Sequence, residues 1–291
     1  MHADLYALLH APRERHEALL HDLIAPLARE VARRPEIDSL FFARYSIPSW
    51  QLRFRVLGER RWVEGSVREL VERRLAALGD DAGVERCEFS SYDREVERYG
   101  GEEGMRLAER FFHHDSLACL DLMEAEGRGE LGKSRREVSL LLTERLLDLL
   151  RFDRERRVAF YEFGYSWVIE RDEWTAEQKL ALDRRFEELR EGLRALLDGS
   201  ASAEPDALWG GPHASRIAGR WLDSVAPVVE RLSEALAAGR IDRDPVNLAW
   251  SLTHMHCNRL GIDAMPEAIL RYFMHRLYLE SDRSAPGHHA S

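Results

Sequence analysis

Long apolar runs are missing from this chain. No stretch reaches the roughly 18 apolar residues a membrane helix needs, so no span is expected. Residues 1–30 scatter His2, Asp4, Arg13, Glu14 and Arg15 through the apolar pattern, which leaves no continuous core for a signal peptide. Cysteine is scarce: Cys87, Cys119 and Cys257 are three in number and lack CxxC spacing. That argues against a disulfide framework and for a reducing cytoplasm. Positive charge is in deficit too. With a net charge of −10 there is no global basic field to hold nucleic acid, so any anion site must be a local cluster. Phosphate-binding loops, nucleophile elbows, zincin motifs and internal repeats are all lacking.

What is present suits an ordinary globular protein. The 291 residues are 45% apolar and 32% charged, enough for a sizeable core in one large domain. Apolar residues at Leu19, Leu20, Leu23, Ile24, Leu27 and Val31 give 12–34 a helical period. "DSLFFARYS" (38–46) and the alternating "WQLRFRVLG" (50–58) read as antiparallel neighbouring strands, broken at Ile47-Pro48-Ser49. Residues 63–78 return to helix, and "VERCEFSSY" (84–92) is a third strand. Beyond about residue 101 the pattern is helical, near 102–126, 135–150, 154–170, 175–198, 214–239, 244–260 and 266–280. A loop is expected at 198–215 and a frayed tail at 282–291. The expectation is a single α+β domain over 1–291, with a small antiparallel sheet within 1–100 and a mainly helical part over 101–281.

"HMHCNRLG" (254–261) concentrates polar chemistry on one helix, which Asp244-Pro245 should start and Gly261 should end. At about 100° per residue, His254 and His256 face nearly opposite sides. His254 shares its face with Cys257 and Asn258, while Leu248, Leu252, Met255 and Arg259 form a neighbouring stripe. A zinc site would use His254 and Cys257, yet no second ligand pair follows. His254 reads equally as a hydrogen-bonded core histidine.

In "QLRFRV", Arg53 and Arg55 share one strand face. They are either part of a solvated surface or a paired guanidinium site for a carboxylate. "YDREVERYGG" (92–101) adds Tyr92, Arg94 and Arg98, the arginines sharing a face if the stretch is helical, or else simply forming surface ion pairs.

"FFARYSIPSWQLRFRV", "YDREVERYGGEEGM…AERFFHHDS" and "SLTHMHCNRLG" together resemble three signature blocks of the C-terminal elimination domain of class I lantibiotic dehydratases, and of its stand-alone thiopeptide-type bacteriocin biosynthesis forms. The resemblance runs from Leu5 to about Tyr278, with one departure: the family often has histidine in the place of Gln51. It implies a lyase without metal or organic cofactor. A separate subunit would esterify serine or threonine of a ribosomally made precursor peptide with glutamate from glutamyl-tRNA. This chain would remove the Cα proton and expel glutamate, leaving dehydroalanine or dehydrobutyrine, without touching nucleic acid itself. On that reading His254, Arg55 and Arg98 are catalytic, and Arg53, Arg94, Tyr92 and Asn258 bind substrate. His256 should face away, and a homodimer is left open. Two alternatives stand beside it: the thiopeptide [4+2] cyclase of the same fold, whose substrate has no glutamyl carboxylate, and a non-catalytic subunit that binds precursor peptide.

Overall fold

The alternation in "QLRFRV" becomes the third strand of a four-stranded antiparallel sheet. The computed structural model describes residues 2–171, 174–202 and 204–283. Strands β1 (His2–His10), β2 (Ile37–Tyr45), β3 (Gln51–Glu59) and β4 (Arg86–Ser90) lie in the order β2-β3-β1-β4, with Tyr6 opposite Arg55 and Leu8 opposite Arg53. Strands put alternate side chains on opposite faces. Leu52, Phe54 and Val56 are buried in one core with Leu23, Ile24 and Leu27 of the helical stretch that carries α1 (His16–Leu19) and α2 (Ala25–Val31), joined by a wider turn over Leu20–Ile24. Arg53 and Arg55 take the other face. A wider turn at Trp62–Val67 leads into α3 (Arg68–Leu78), which precedes β4.

The helices that follow are α4 (Glu102–Gly127), α5 (Arg135–Leu149), α6 (Arg154–Arg171), α7 (Ala176–Ser202), α8 (Pro205–Trp209), α9 (Pro212–Ala237), α10 (Pro245–Arg259) and α11 (Ala264–Arg283). Described residues are thus α+β, as the sequence pattern implies, with one small sheet near the N-terminus and helices behind it.

Strand β2 is an edge, and an uncovered edge exposes a row of backbone donors and acceptors. Helix side chains cover this one. The amides of Leu40, Phe42 and Arg44 donate to His113 Nδ1 (3.2 Å), Ser116 Oγ (3.3 Å) and Asn258 Oδ1 (2.8 Å). The carbonyls of Phe42 and Arg44 accept from Arg259 Nε (3.0 Å) and Asn258 Nδ2 (2.8 Å). Helices α4 and α10 are therefore locked to the sheet by sequence-specific bonds, which fixes His254 relative to the arginines of β3.

One strand goes beyond the sequence pattern, and one expectation needs correction. His2–His10 is a central strand that the periodicity did not indicate. The stretch 198–215 is not one loop, because α7 continues to Ser202, α8 spans Pro205–Trp209 and α9 starts at Pro212. The punctuating residues act as helix ends there: Pro205 and Pro212 open helices, and Gly210 and Gly211, at φ 79° and 129°, make the turn between them. From residue 284 the expected tail lies outside the described residues.

Candidate active site

Arg53 and Arg55 stand side by side on a floor of aromatic rings. The Arg55 guanidinium lies 4.5 Å from the ring centre of Tyr6 and 4.1 Å from that of Tyr92, and it donates to Tyr6 Oη at 3.2 Å. Arg53 lies 3.4 Å over Tyr45. Neither forms an ion pair with a carboxylate among the described residues, and Nε of each is buried without a hydrogen-bond partner. Arg55 is only 9% exposed. Burying a cation is costly unless something compensates, and ring faces compensate only in part. In a chain of this acidity, two adjoining cations without an acidic partner mark a place for an anion.

The segment that supplies Tyr92 divides its arginines. Arg94 binds Glu109 through Nε (2.8 Å) and Nη2 (2.9 Å), and Glu102 through Nη1 (2.7 Å). The Glu109 bonds hold its guanidinium above its ordinary pKa. Arg94 thus anchors the segment to α4. Arg98, on a short turn at Glu97–Tyr99, donates to Ser251 Oγ (3.3 Å), pairs with Glu95 (3.2 Å) and lies 5.7 Å from the Trp250 ring. Gly100 and Gly101, at φ 75° and 110°, turn the chain into α4.

Helix α10 begins and ends as its sequence implies. Asp244 accepts from the amides of Val246 (2.9 Å) and Asn247 (3.1 Å), and Gly261 at φ 72° follows the last turn. Its two histidines face different surroundings. His256 is buried and donates from Nδ1 to Asp115 at 2.7 Å. His254 stacks on Trp250 (5.1 Å, 10° between planes), bonds Glu267 through Nδ1 at 2.8 Å, and lines a cleft of about 650 Å³. Trp250 therefore touches both His254 and Arg98. Other walls of the cleft are Arg13, His16, Arg44, Ser46, Trp50 and Asn258, so Arg53, Arg55 and Arg98 are not among its lining. Two links lead from the arginines to it: Tyr45, under Arg53, precedes Ser46 of the lining, and Trp250 contacts both Arg98 and His254. Asn258 is spent mainly on β2.

The sequence pattern does not single out Glu267 and Arg271. They sit four apart on α11, and Glu267 Oε1 accepts from Arg271 Nη2 at 2.7 Å while its other oxygen serves His254. Burial would raise the Glu267 carboxyl, but Arg271 and His254 pull it below the usual carboxylate range. A Glu–Arg pair at i, i+4 looks like an ordinary surface bridge in sequence; only its near-complete burial sets it apart.

Among described residues, one group has the composition of a metal site: Asp115, Cys119 and His256, all buried, with ligand atoms within 4.8 Å of one another. The Asp115 carboxylate and the His256 Nδ1 are already committed to each other. Asp115 accepts from His256, from Arg259 Nη1 (2.9 Å) and from Trp221 Nε1 (3.0 Å). Burial pushes the Cys119 thiol well up, away from the thiolate a metal requires. A dication would also face the fully buried Arg259 guanidinium. The group does not suit a metal ion. The zinc pair considered at His254 and Cys257 does not form either, since Cys257 contacts Ser139 and burial pushes its thiol up to about 12.

Known proteins share this framework. The crystal structure of MibB, a tRNA-dependent lantibiotic dehydratase from Microbispora sp. 107891, superposes with a TM-score of 0.72 at 23% identity, over 97% of this chain and 28% of that one. TbtD, the pyridine synthase of thiomuracin biosynthesis, matches at 0.66 and 16% identity, over 95% of this chain and 98% of its own. The subtilin biosynthesis protein SpaB of Bacillus subtilis is 22% identical over 285 residues, which is 95% of this chain. The chain spans about a quarter of that relative's length, 25%. Residues 5–278 match the model described as lantibiotic biosynthesis dehydratase C-term, and the chain belongs to that family.

Proposed function

We propose that this protein is a glutamate-eliminating lyase that acts on glutamylated serine or threonine in a ribosomally made precursor peptide. Membership of the dehydratase family supports an enzyme that works on a peptide. The observation that carries the finer reading is the Arg53–Arg55 couple, half-buried and buried respectively against tyrosines and lacking a carboxylate partner among the described residues. A glutamyl ester brings a free carboxylate, which two guanidiniums hold through charge-assisted bonds. With that anchor the ester lies across Tyr45–Ser46 and Trp250, its Cα toward His254. Arg98, beside Trp250, adds positive charge where an enolate-like transition state develops. The Cα–H bond breaks, its electrons form the Cα=Cβ bond, and the Cβ–O bond breaks with its pair leaving on glutamate. Tyr92 holds Arg55 in place, while Arg94 and Asn258 keep their segments on α4 and β2.

A second reading has an observation of its own. TbtD is matched over nearly its whole length, whereas MibB is matched over 28%. The shared fold is compatible with pyridine formation from two dehydroalanines. Such a substrate offers no glutamyl carboxylate to the arginine couple, which favours elimination. Incubating the purified protein with glutamylated precursor and measuring peptide mass decides the matter. Loss of glutamate with no other change supports the lyase. Cyclisation of a dehydroalanine-containing peptide with leader release, and no action on the glutamyl ester, overturns it.

A further inference from the structure

We propose that Glu267 is a positioning residue for His254, held for that task by Arg271, and that it presents His254 to the cleft as a proton acceptor at Nε2. The inference rests on the elimination reading and deepens it. Glu267 is 4% exposed and ionised, so both its oxygens can only accept hydrogen bonds. Its Oε2 lies 2.8 Å from His254 Nδ1, which must therefore carry the proton. In the neutral ring Nε2 is then left with its lone pair, and His254 lines the cleft. Oε1 is fixed by Nε (2.9 Å) and Nη2 (2.7 Å) of Arg271, whose Nη2 also reaches Thr253 Oγ1 at 2.8 Å. Thr253 precedes His254 on α10, so the carboxylate, the guanidinium and the imidazole form one frame across α10 and α11. Stacking on Trp250 with 10° between the planes fixes the remaining tilt of the ring.

This frame assigns a direction to the proton. Nε2 takes the Cα proton as the Cβ–O bond breaks, and the buried Glu267 carboxylate stabilises the imidazolium that results without itself being protonated. The proton then returns from Nε2 to water, and glutamate departs as its carboxylate. Arg271 keeps Glu267 ionised at a depth where burial favours the neutral acid.

Glu267→Gln, His254→Ala and the double variant test the assignment in two independent ways. Nitrogen NMR of histidine-labelled protein at alkaline pH should show His254 in the wild type protonated at Nδ1 alone. In Glu267→Gln it should become a mixture of both tautomers. In the elimination assay Glu267→Gln should lower kcat about ten- to hundred-fold with KM within about two-fold, and it should add nothing in the His254→Ala background. An unchanged tautomer overturns the proposal, as does a loss that multiplies with that of His254→Ala. If the wild type releases no glutamate, the elimination reading fails while the tautomer still decides whether Glu267 orients the ring. If Glu267→Gln does not fold, Glu267→Asp is measured in its place. It keeps the charge but withdraws it by one methylene, and it must show the same tautomer mixing and kcat loss.

Discussion

Arginines of this chain look alike in sequence, and burial and partners separate them. Arg53 and Arg55 are legible as a same-face pair because a strand alternates. That Arg94 is taken up by Glu109, fifteen positions away, is not legible, since no local pattern tells an arginine which helix it will meet. Different outcomes follow on substitution. Arg55→Ala should leave the fold intact and cause glutamylated peptide to accumulate. The lost charge-assisted contact is worth about 1.5–3 kcal/mol, or roughly one to two decades in rate. Arg55→Lys should rescue poorly because it lacks the planar fork. Arg94→Ala should instead lower the denaturation midpoint, as it leaves the buried Glu109 carboxylate unpaired. Normal glutamate release by Arg55→Ala would refute the clamp. His113 gives a pH test at the same scale. Burial, helped by His114, lowers it from 6.5 to about 4. The unfolded chain therefore takes up this proton first as pH falls. The stability tied to neutral His113 is complete above about 6.5, declines on acidification and is gone below about 4, an effect on the order of 3 kcal/mol. His113→Gln, which retains an acceptor for the Leu40 amide, should flatten the melting temperature between those limits relative to wild type.

Elements were legible where their signal is local and missed where it is not. Asp244, Pro245 and Gly261 delimit α10 because capping is a contest among neighbouring backbone groups. Strand β1 escaped because "HADLYALLH" has neither β-branched residues nor clean alternation; β3 and β4 on its two sides make it a strand. Much of the polar chemistry in "HMHCNRLG" likewise serves the neighbouring elements. Asn258 imitates a backbone group and pairs with both the amide and the carbonyl of Arg44, closing the edge of β2. Asn258→Ala should therefore destabilise the protein by about 1–3 kcal/mol, the cost of unsatisfied buried groups. Hydrogen exchange at the Arg44 amide should speed up ahead of amides in β1. If that amide stays as protected as in the wild type, Asn258 does not close the edge.

At the scale of the molecule, Asp115 is where sheet and helices are tied together. From α4 its carboxylate holds Trp221 of α9 and both His256 and Arg259 of α10, and Arg259 reaches on to the carbonyl of Phe42 in β2. Sequence shows an Asp and an Arg separated by 144 positions, with nothing to pair them. Burial would raise this carboxyl, but His256 and Arg259, with the Trp221 hydrogen bond, hold it below the usual carboxylate range. The folded state thus releases this proton more readily than the unfolded chain. Its contribution is present above the ordinary carboxylate pKa and is lost as pH falls through the lowered one. Asp115→Asn keeps the shape but leaves the Arg259 guanidinium buried without its counter-charge, a loss of about 3–5 kcal/mol when one partner of a buried pair is removed. Because four elements meet there, unfolding should stay cooperative: sheet and helix signals should drop together at a lower denaturant concentration. The acid limb of the wild-type stability profile should be shallower in the variant. A zinc chelator should change neither stability nor glutamate release, since Asp115 is already bound to His256 and Arg259 and the Cys119 thiol stays protonated. If a chelator unfolds the protein and zinc restores it, the cluster is a metal centre and the charge argument for Asp115 fails.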